Sequence, residues 1–117
     1  IYVMNEERSI TIKYRGGLAR ISTDKLMYVE IIAHRLYYHL IDGDLEITGV
    51  LSEVEQELAA YGFLRCNKCY LVNPRFVVGV KGSEVQVGDV TLQISRPRRA
   101  AFLSELANWY AGQGGKS

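Results

Sequence analysis

The stretch FLRCNKCYLVN, residues 63–73, contains two short β-rich segments separated by the polar pair Asn67 and Lys68. Aliphatic and aromatic residues on both sides of such a pair are typical of two strands joined by a loop. Arg65, Lys68 and Arg75 place positive charge in or beside this loop. The stretch therefore predicts a strand, a basic loop and a second strand.

Short strands are also predicted on both sides of this stretch. Residues 8–14 alternate between apolar and polar side chains, as in a half-buried strand. Gly16-Gly17 predicts a tight turn, and Asp42-Gly43 predicts a hairpin. The predicted strands are residues 8–14, 18–22, 35–41, 45–48, 63–66, 69–72, 76–81, 84–87 and 90–94, with an apolar stretch at 26–32. This pattern predicts a mainly β protein.

Two helices are predicted, one inside the chain and one near its end. Ser52 and Glu55 form a capping box, in which hydroxyl and carboxylate satisfy free backbone donors, so a helix is predicted over about 52–61. Its expected buried stripe is Val50, Leu51, Val54 and Leu58. The second helix is predicted over about 97–110, followed by a flexible Gly-rich tail at 112–117.

Length and composition predict one compact domain. A chain of 117 residues, 48% of them hydrophobic, is long enough for one packed core and too short for two. We expect a single domain over 1–117 with its core at about 8–110. The longest apolar stretches fall far short of the roughly 20 residues that cross a bilayer. The chain opens without an initiator methionine or a secretory signal, so we expect part of a longer cytoplasmic protein with another domain upstream.

Residues typical of catalytic and metal sites are sparse. The chain has no nucleophile elbow, no phosphate-binding Gly-rich loop and no Ser/His/Asp set at a recognised spacing. His34 and His39 are an odd number of positions apart, so a strand would point them to opposite faces. A zinc site shared with Cys66 and Cys69 is therefore not expected. The sequence predicts neither an enzyme nor a cofactor, although the Cys-x-x-Cys pair leaves a thiol switch open.

Charge is distributed unevenly along the chain, although the formal net charge is only +1. Residues 1–60 carry six basic and ten acidic side chains, a net charge of −4. Residues 61–117 carry eight basic and three acidic side chains, a net charge of +5. The second half of the chain is therefore suited to an anionic partner, which the average conceals.

Arg96, Arg98 and Arg99 fall at the start of the last predicted helix. Positive charge there opposes the helix dipole, so these side chains do not serve the helix itself. A phosphate would gain both from the guanidinium groups and from the free backbone donors of the first turn. The alternative is that the three arginines pair with acidic residues of the first half, such as Asp42 or Glu46.

Residues 63–73, followed after a β segment by Ile94-Ser95-Arg96, resemble the signature of LytTR-type DNA-binding domains. That signature is Phe-x-Arg-x-His-basic-Ser-aromatic-aliphatic-Val-Asn with a closing Ser-Arg, and the resemblance covers about residues 8–108. It implies an elongated, mainly antiparallel β fold of small packed sheets with one interior helix and one C-terminal helix. It also implies a domain of a transcription regulator, commonly the output half of a two-component response regulator.

The resemblance implies loops in the major groove of paired direct repeats, occupied by a dimer. By position, His34, Lys68 and Arg96 match base-contacting residues, and Asn67 is a fourth candidate. Arg and Lys suit guanine O6 and N7, and a loop histidine can donate to a base acceptor. The candidates for phosphate contact are Arg65, Arg98 and Arg99. Three positions depart from the signature. Asn67 replaces its His, which bears on base preference, and Cys69 replaces its Ser, which removes a hydroxyl donor. The third is Pro97, which follows the closing Ser-Arg and fits the start of the helix.

The sequence thus predicts sequence-specific binding of double-stranded DNA. Loops that enter two adjacent grooves need the duplex to curve, so DNA bending is expected. Two alternatives stay open at this point. One is a protein-interaction β-module that uses an exposed strand edge, and the other is the thiol switch.

Overall fold

The structure is a computed structural model that describes residues 8–114, with side chains as far as residue 112. The strands are β1 (Ser9–Tyr14), β2 (Gly17–Ser22), β3 (Leu26–Ile32), β4 (Arg35–Leu40), β5 (Gly43–Thr48), β6 (Leu64–Asn67), β7 (Tyr70–Val72), β8 (Val77–Lys81), β9 (Glu84–Val87) and β10 (Val90–Gln93). The helices are α1 (Leu51–Ala59) and α2 (Arg99–Gly114), and short 3-10 turns lie at Thr23–Lys25, Pro74–Phe76 and Arg96–Arg98. The prediction of a mainly β protein with one interior and one C-terminal helix is confirmed.

The described strands form three small antiparallel sheets. Their orders are β1-β2, β5-β4-β3-β7-β6 and β10-β9-β8. In the five-stranded sheet β3 pairs with β4 on one side and with β7 on the other. The β6–β7 hairpin, which contains the basic loop, is therefore attached directly to the central strand. The body measures 42 × 42 × 24 Å.

Two apolar clusters hold these layers together. The first joins the β1–β2 hairpin and α1 to the five-stranded sheet; its buried members include Ile10, Ile12, Ile21, Leu26, Val29, Leu36, Tyr38, Leu51, Val54, Leu58, Phe63 and Leu71. The second joins α2 to the β8–β10 sheet and to β6; its buried members include Tyr28, Cys66, Val72, Val85, Val87, Leu92, Ile94, Phe102 and Leu106. Burial of these side chains from water is the main force that fixes the sheets against the helices.

The apolar stretch at 26–32 is β3, the central strand of the largest sheet. Leu26 and Val29 are fully buried, and Tyr28 is nearly so. Because these residues point to both faces of the sheet, the strand is covered on both sides and lacks the alternation that marks a half-buried strand. Its role therefore could not be assigned from periodicity.

The predicted capping box at Ser52 and Glu55 is not formed. α1 begins at Leu51, its N-cap is Val50, and no side chain caps the first turn. Leu51 is buried whereas Val50 is 50% exposed. Burial of Leu51 sets the start of the helix one residue earlier than predicted, which moves the Ser52 hydroxyl into the first turn and removes Val50 from the buried stripe.

The predicted turns are shifted by one residue. Tyr14 pairs with Gly17, so the first turn is Arg15-Gly16, with a positive φ of 98° at Gly16. Leu40 pairs with Gly43, so the second turn is Ile41-Asp42. Gly17 and Gly43 each begin the returning strand.

The C-terminal helix is longer than predicted. α2 begins at Arg99 after the 3-10 turn and runs to Gly114, into the segment predicted as a tail at 112–117. Residues 115–117 lie outside the described residues. Within residues 8–114, neither helix combines the length and apolar character that crossing a membrane requires.

Asn73, the last residue of the stretch 63–73, is a buried link between layers. It is 4% exposed, and its Nδ2 donates to the carbonyls of Thr23 and Leu26 at 3.1 and 2.8 Å. Its Oδ1 accepts from the backbone N–H of Arg75 at 3.0 Å. A buried amide with all these partners satisfied fixes the end of β7 against the start of β3.

Candidate functional site

Three connecting segments meet around one concavity of about 880 Å³. They are the β3–β4 turn, the β6–β7 loop and the segment that follows β10. The lining residues are Glu30, Ile31, Ile32, Ala33, Asn67, Lys68, Cys69, Tyr70, Ser95, Pro97 and Arg98. The predicted base contacts belong to these same segments, because Lys68 lines the concavity, His34 follows Ala33, and Arg96 lies between Ser95 and Pro97.

Backbone hydrogen bonds hold the three segments together. The N–H of Ile31 in β3 donates to the carbonyl of Cys69 at 3.0 Å, which ties the β6–β7 loop to the central strand. The N–H of Ser95 donates to the carbonyl of Cys66 at 2.9 Å, which ties the segment after β10 to β6. The loops therefore have fixed relative positions.

The β3–β4 turn is a strained two-residue connection. Ala33 and His34 have positive φ values of 48° and 69°, which residues other than glycine rarely adopt. The carbonyl of His34 accepts from the N–H of Gly49 at 3.2 Å, and the His34 side chain is exposed. The turn presents the His34 imidazole to solvent at one end of the sheet.

The β6–β7 loop is braced by Arg65. The Arg65 Nε donates to the carbonyl of Asn67 at 3.0 Å, and Nη2 donates to the carbonyl of Lys68 at 2.9 Å. Nη1 lies 2.5 Å from Oε1 of Glu55 in α1, and the Arg65 side chain is only 13% exposed. Every nitrogen of this guanidinium thus has an internal partner, which fixes the loop to the helix behind it.

Asn67 also helps to shape this loop. Its Oδ1 accepts from the N–H of Cys69 at 2.7 Å, and its Nδ2 donates to the carbonyl of Gln93 at 2.6 Å. Lys68, by contrast, is exposed, and no carboxylate of the described residues lies within 4.0 Å of its ammonium group. Arg65 and Asn67 build the loop, and Lys68 is presented by it.

The segment after β10 carries unpaired cations. Arg96 and Arg99 are exposed and Arg98 is half-buried. In the described part of the chain no carboxylate lies within 4.0 Å of these guanidinium groups, so the alternative pairing with Asp42 or Glu46 is not formed. Arg99 Nε donates to the carbonyl of Gly82 at 2.9 Å. Unpaired positive charge at a helix start is a favourable environment for an anion.

The two cysteines have different surroundings. Cys66 is fully buried in the second apolar cluster, and its Sγ lies 3.5 Å from the carbonyl of Gln93, to which it donates. Burial raises the pKa of the Cys66 thiol to about 12. Cys69 is half-buried beside the concavity. Since the thiolate is the reactive form, Cys66 is poorly suited to a thiol switch.

The two histidines lie in different elements, with His34 in the β3–β4 turn and His39 in β4, so the expected opposite faces of one strand are not tested. His39 lies in β4 with its Nε2 2.9 Å from Glu30 Oε1 and its Nδ1 3.0 Å from Asp44 Oδ1. Its ring stacks on Tyr28 at a centroid distance of 4.4 Å. His39 thus links three strands, whereas His34 stands at the turn.

Sequence reasoning missed the apolar wall of the concavity. Ile32, at the end of β3, is 52% exposed and lines the concavity next to Ala33 and Pro97. The one local sign of this wall in the sequence is that Ile32 stands directly before an exposed turn. The juxtaposition itself joins parts of the chain more than sixty residues apart, which residue spacing cannot reveal.

Comparison with known proteins adds a family and a fold. The model of the LytTr DNA-binding domain family matches residues 16–107. The chain is structurally similar to the LytTr DNA-binding domain of a putative methyl-accepting/DNA response regulator from Bacillus cereus, with a TM-score of 0.71 and 20% sequence identity. That match covers 86% of this chain and 98% of the other. No curated protein matches.

Proposed function

The chain belongs to the LytTr DNA-binding domain family, and from this we propose that it binds specific sequences of double-stranded DNA through the three segments around the concavity. The family match over residues 16–107 carries the proposal. Its geometric support is that Lys68 and Arg98, unpaired among the described residues, line one concavity, and that His34 and Arg96 directly adjoin residues that line it.

We propose that His34, Lys68 and Arg96 read base edges in the major groove. Arg96 is exposed and free to place its planar guanidinium against guanine O6 and N7, and Lys68 can donate to the same acceptors as a point charge. His34 is held at the tip of a turn, where its ring can donate to a base acceptor. Loops rather than a recognition helix would thus enter the groove.

We propose Asn67 as a further base contact, which it can make only after releasing an internal hydrogen bond. Its amide can pair with adenine N6 and N7. In the free protein, however, both ends of that amide are engaged, with Gln93 and Cys69. Contact with a base would therefore require the Asn67 amide to give up its hydrogen bond to Gln93. In the free protein the role of Asn67 is to shape the loop.

Phosphate contacts are proposed for Arg98, Arg99 and Arg65. Arg98 and Arg99 stand at the start of α2, where their guanidinium charges favour an oxyanion. The free backbone donors expected there are not present at these two residues, because the N–H groups of Arg98 and Arg99 donate to the carbonyls of Ser95 and Arg96. Arg65 makes one contact through each nitrogen, which leaves one N–H on each terminal nitrogen available. Such contacts fix the position of the protein on the duplex without reading its sequence.

The wider role follows as part of the same proposal. We propose a single domain with its core at about 8–110, acting in the cytoplasm as the output part of a longer regulator with a receiver or sensor domain upstream. Two copies would occupy paired direct repeats, and the duplex would bend to admit loops into adjacent grooves. The role is one of binding and positioning rather than catalysis.

Selection of duplexes from a random library tests the proposal. The wild-type chain should enrich one motif, repeated at a fixed spacing. The double variant Lys68→Ala, Arg96→Ala should lose this enrichment while its thermal unfolding remains cooperative, because both side chains are exposed. Absence of any enriched motif with the wild type would refute sequence-specific binding.

One observation favours a second candidate, a protein-interaction module. β8 lies at an edge of its sheet, Val78 is 68% exposed, and the strand lines a concavity of about 490 Å³ together with Leu103 and Tyr110 of α2. An extended peptide could add to such an edge. Salt separates the two functions, since phosphate contacts make affinity fall steeply with salt whereas strand addition does not.

A further inference from the structure

The β1–β2 hairpin ends in an exposed arginine that none of the roles above uses. Arg15 occupies the turn itself, beside Gly16 with its positive φ. Its side chain is exposed, and among the described residues no carboxylate lies within 4.0 Å of its guanidinium. An unpaired cation at a turn tip has no evident part in the stability of the hairpin.

This turn lies at the same end of the molecule as His34. Tyr14 and Arg15 share a concavity of about 340 Å³ with Arg35, Glu46 and Thr48. Arg35 directly follows His34 and pairs with Thr48 across β4 and β5. Three elements therefore meet here, the tip of the β1–β2 hairpin, the start of β4 and the end of β5.

The local charges leave Arg15 as the free cation of this group. Arg35 Nε is paired with Glu46, and the hydroxyl of Tyr37 also donates to that carboxylate at 3.5 Å. The negative charge of Glu46 is thus already compensated. Lys13, on the same hairpin, instead lines a concavity that also contains Glu53 and Glu57 of α1, so its surroundings are acidic.

The strands of the hairpin are anchored to the rest of the fold. Ile10, Ile12 and Ile21 are buried in the first apolar cluster. The hydroxyl of Tyr61 donates to the carbonyl of Ser9 at 3.3 Å, at the opposite end of the hairpin from the turn. Because its strands are anchored, the hairpin loses less entropy than a free one would when Arg15 engages a ligand.

We propose that Arg15 is an additional phosphate-contacting residue, which extends the DNA-binding surface beyond the His34 turn onto the β1–β2 hairpin. The inference rests on the proposed DNA-binding function. The contact is a charge-assisted and potentially bidentate one between the guanidinium and a backbone phosphate flanking the bases read by His34. It supplies affinity and orientation, and it carries no base preference.

Arg15→Gln in the full chain tests this contact, with Arg20→Gln as the matched control. Arg20 is an exposed arginine of the same hairpin, paired across from Thr11, with its Nε 3.2 Å from the Ser9 hydroxyl oxygen, well away from the turn. Affinity is measured against salt on the duplex enriched from a random library and on a duplex that lacks the motif.

The expected result for Arg15→Gln is a salt slope reduced by about 0.9, with an affinity loss of about fivefold on both duplexes, so that their ratio is unchanged. Arg20→Gln should match the wild type. Shortening the duplex on the flank next to the bases read by His34 should weaken the wild type and abolish its difference from Arg15→Gln.

Three results would overturn the inference while leaving DNA binding intact. They are an unchanged slope for Arg15→Gln, an equal loss for Arg20→Gln, and a loss confined to the motif duplex. Failure of the wild type to bind any duplex would instead overturn the proposed function, and the contact with it.

Discussion

The β6–β7 loop and the segment from Ser95 to Arg99 are both basic and border the same concavity, yet they use their arginines in opposite ways. Arg65 is 13% exposed and bonds to two carbonyls and to Glu55. Arg96 is exposed and has no carboxylate partner among the described residues. A charged residue in a sequence signature can therefore either build the loop or be presented by it, and burial with hydrogen bonding distinguishes the two.

This comparison is first tested by Arg96→Ala, for which we expect the largest effect. Loss of a bidentate contact with a base should cost about 1–3 kcal/mol of DNA-binding free energy and relax the preference at one position of the site. The free energy of unfolding should change by less than about 0.5 kcal/mol, because the side chain is exposed and unpaired. Affinity measurements on single-base variants of the selected duplex, with urea unfolding of both proteins, provide the check. Unchanged affinity and preference would remove Arg96 from the base contacts.

Arg65→Ala should show the reverse pattern. It leaves the carbonyls of Asn67 and Lys68 and the Glu55 carboxylate without their donor, and we expect the free energy of unfolding to fall by about 1–2 kcal/mol. Glu55 is 37% exposed, so its ion pair with Arg65 contributes only a small part of this loss of unfolding free energy. Urea unfolding measures the loss, with Glu55→Gln as a control that removes the carboxylate charge and retains an acceptor. Full stability combined with a large loss of affinity would contradict the internal role of Arg65 and leave the phosphate contact as its only role.

Alkaline pH should lower the free energy of unfolding, because Cys66 is buried beneath the β6–β7 loop. Burial disfavours the thiolate and raises the pKa of Cys66 from its ordinary value of 9.0 to about 12 in the folded chain. The favourable contribution of the neutral thiol is therefore complete below pH 9 and is lost as the pH rises towards 12, with a slope of at most about 1.4 kcal/mol per pH unit. The slope of unfolding free energy between pH 8 and pH 10 should be shallower for Cys66→Ala than for the wild type. Parallel slopes would contradict the burial of this thiol.

The smallest effect is expected from oxidants. Cys66 is buried and almost entirely protonated at neutral pH, so mild oxidation should change DNA affinity by less than about twofold. Affinity before and after treatment, with and without reductant, tests this expectation. A strong response in the wild type that is absent in Cys66→Ser and Cys69→Ser would establish the thiol switch instead.

The sequence predicted most strands because their turns carry glycine or their residues alternate, as in residues 8–14 and 45–48. β3 was not assigned as a strand, since a central strand covered on both faces has no alternation. The turn at Ala33-His34 contains neither glycine nor proline, so its positive φ values had no local signal.

The candidate site was less accessible to prediction than the fold. Spacing and resemblance identified Lys68 and Arg96, but the concavity that brings their segments together arises from pairing across the whole chain. The internal role of Arg65 depends on Glu55, which another element supplies. Likewise, Asn67 was expected at a base, and its bonds to Gln93 and Cys69 became evident only in three dimensions.

Amide NMR of the labelled full chain, titrated with the selected duplex, tests most directly which surface faces DNA. We expect the largest shifts and line broadening at residues 33–35, 67–69 and 95–99. The edge strand β8, Val77–Lys81, should remain unchanged and serves as the internal reference. Changes concentrated along β8 and the facing side of α2, with the three segments around the concavity unaffected, would contradict the proposed DNA-binding surface.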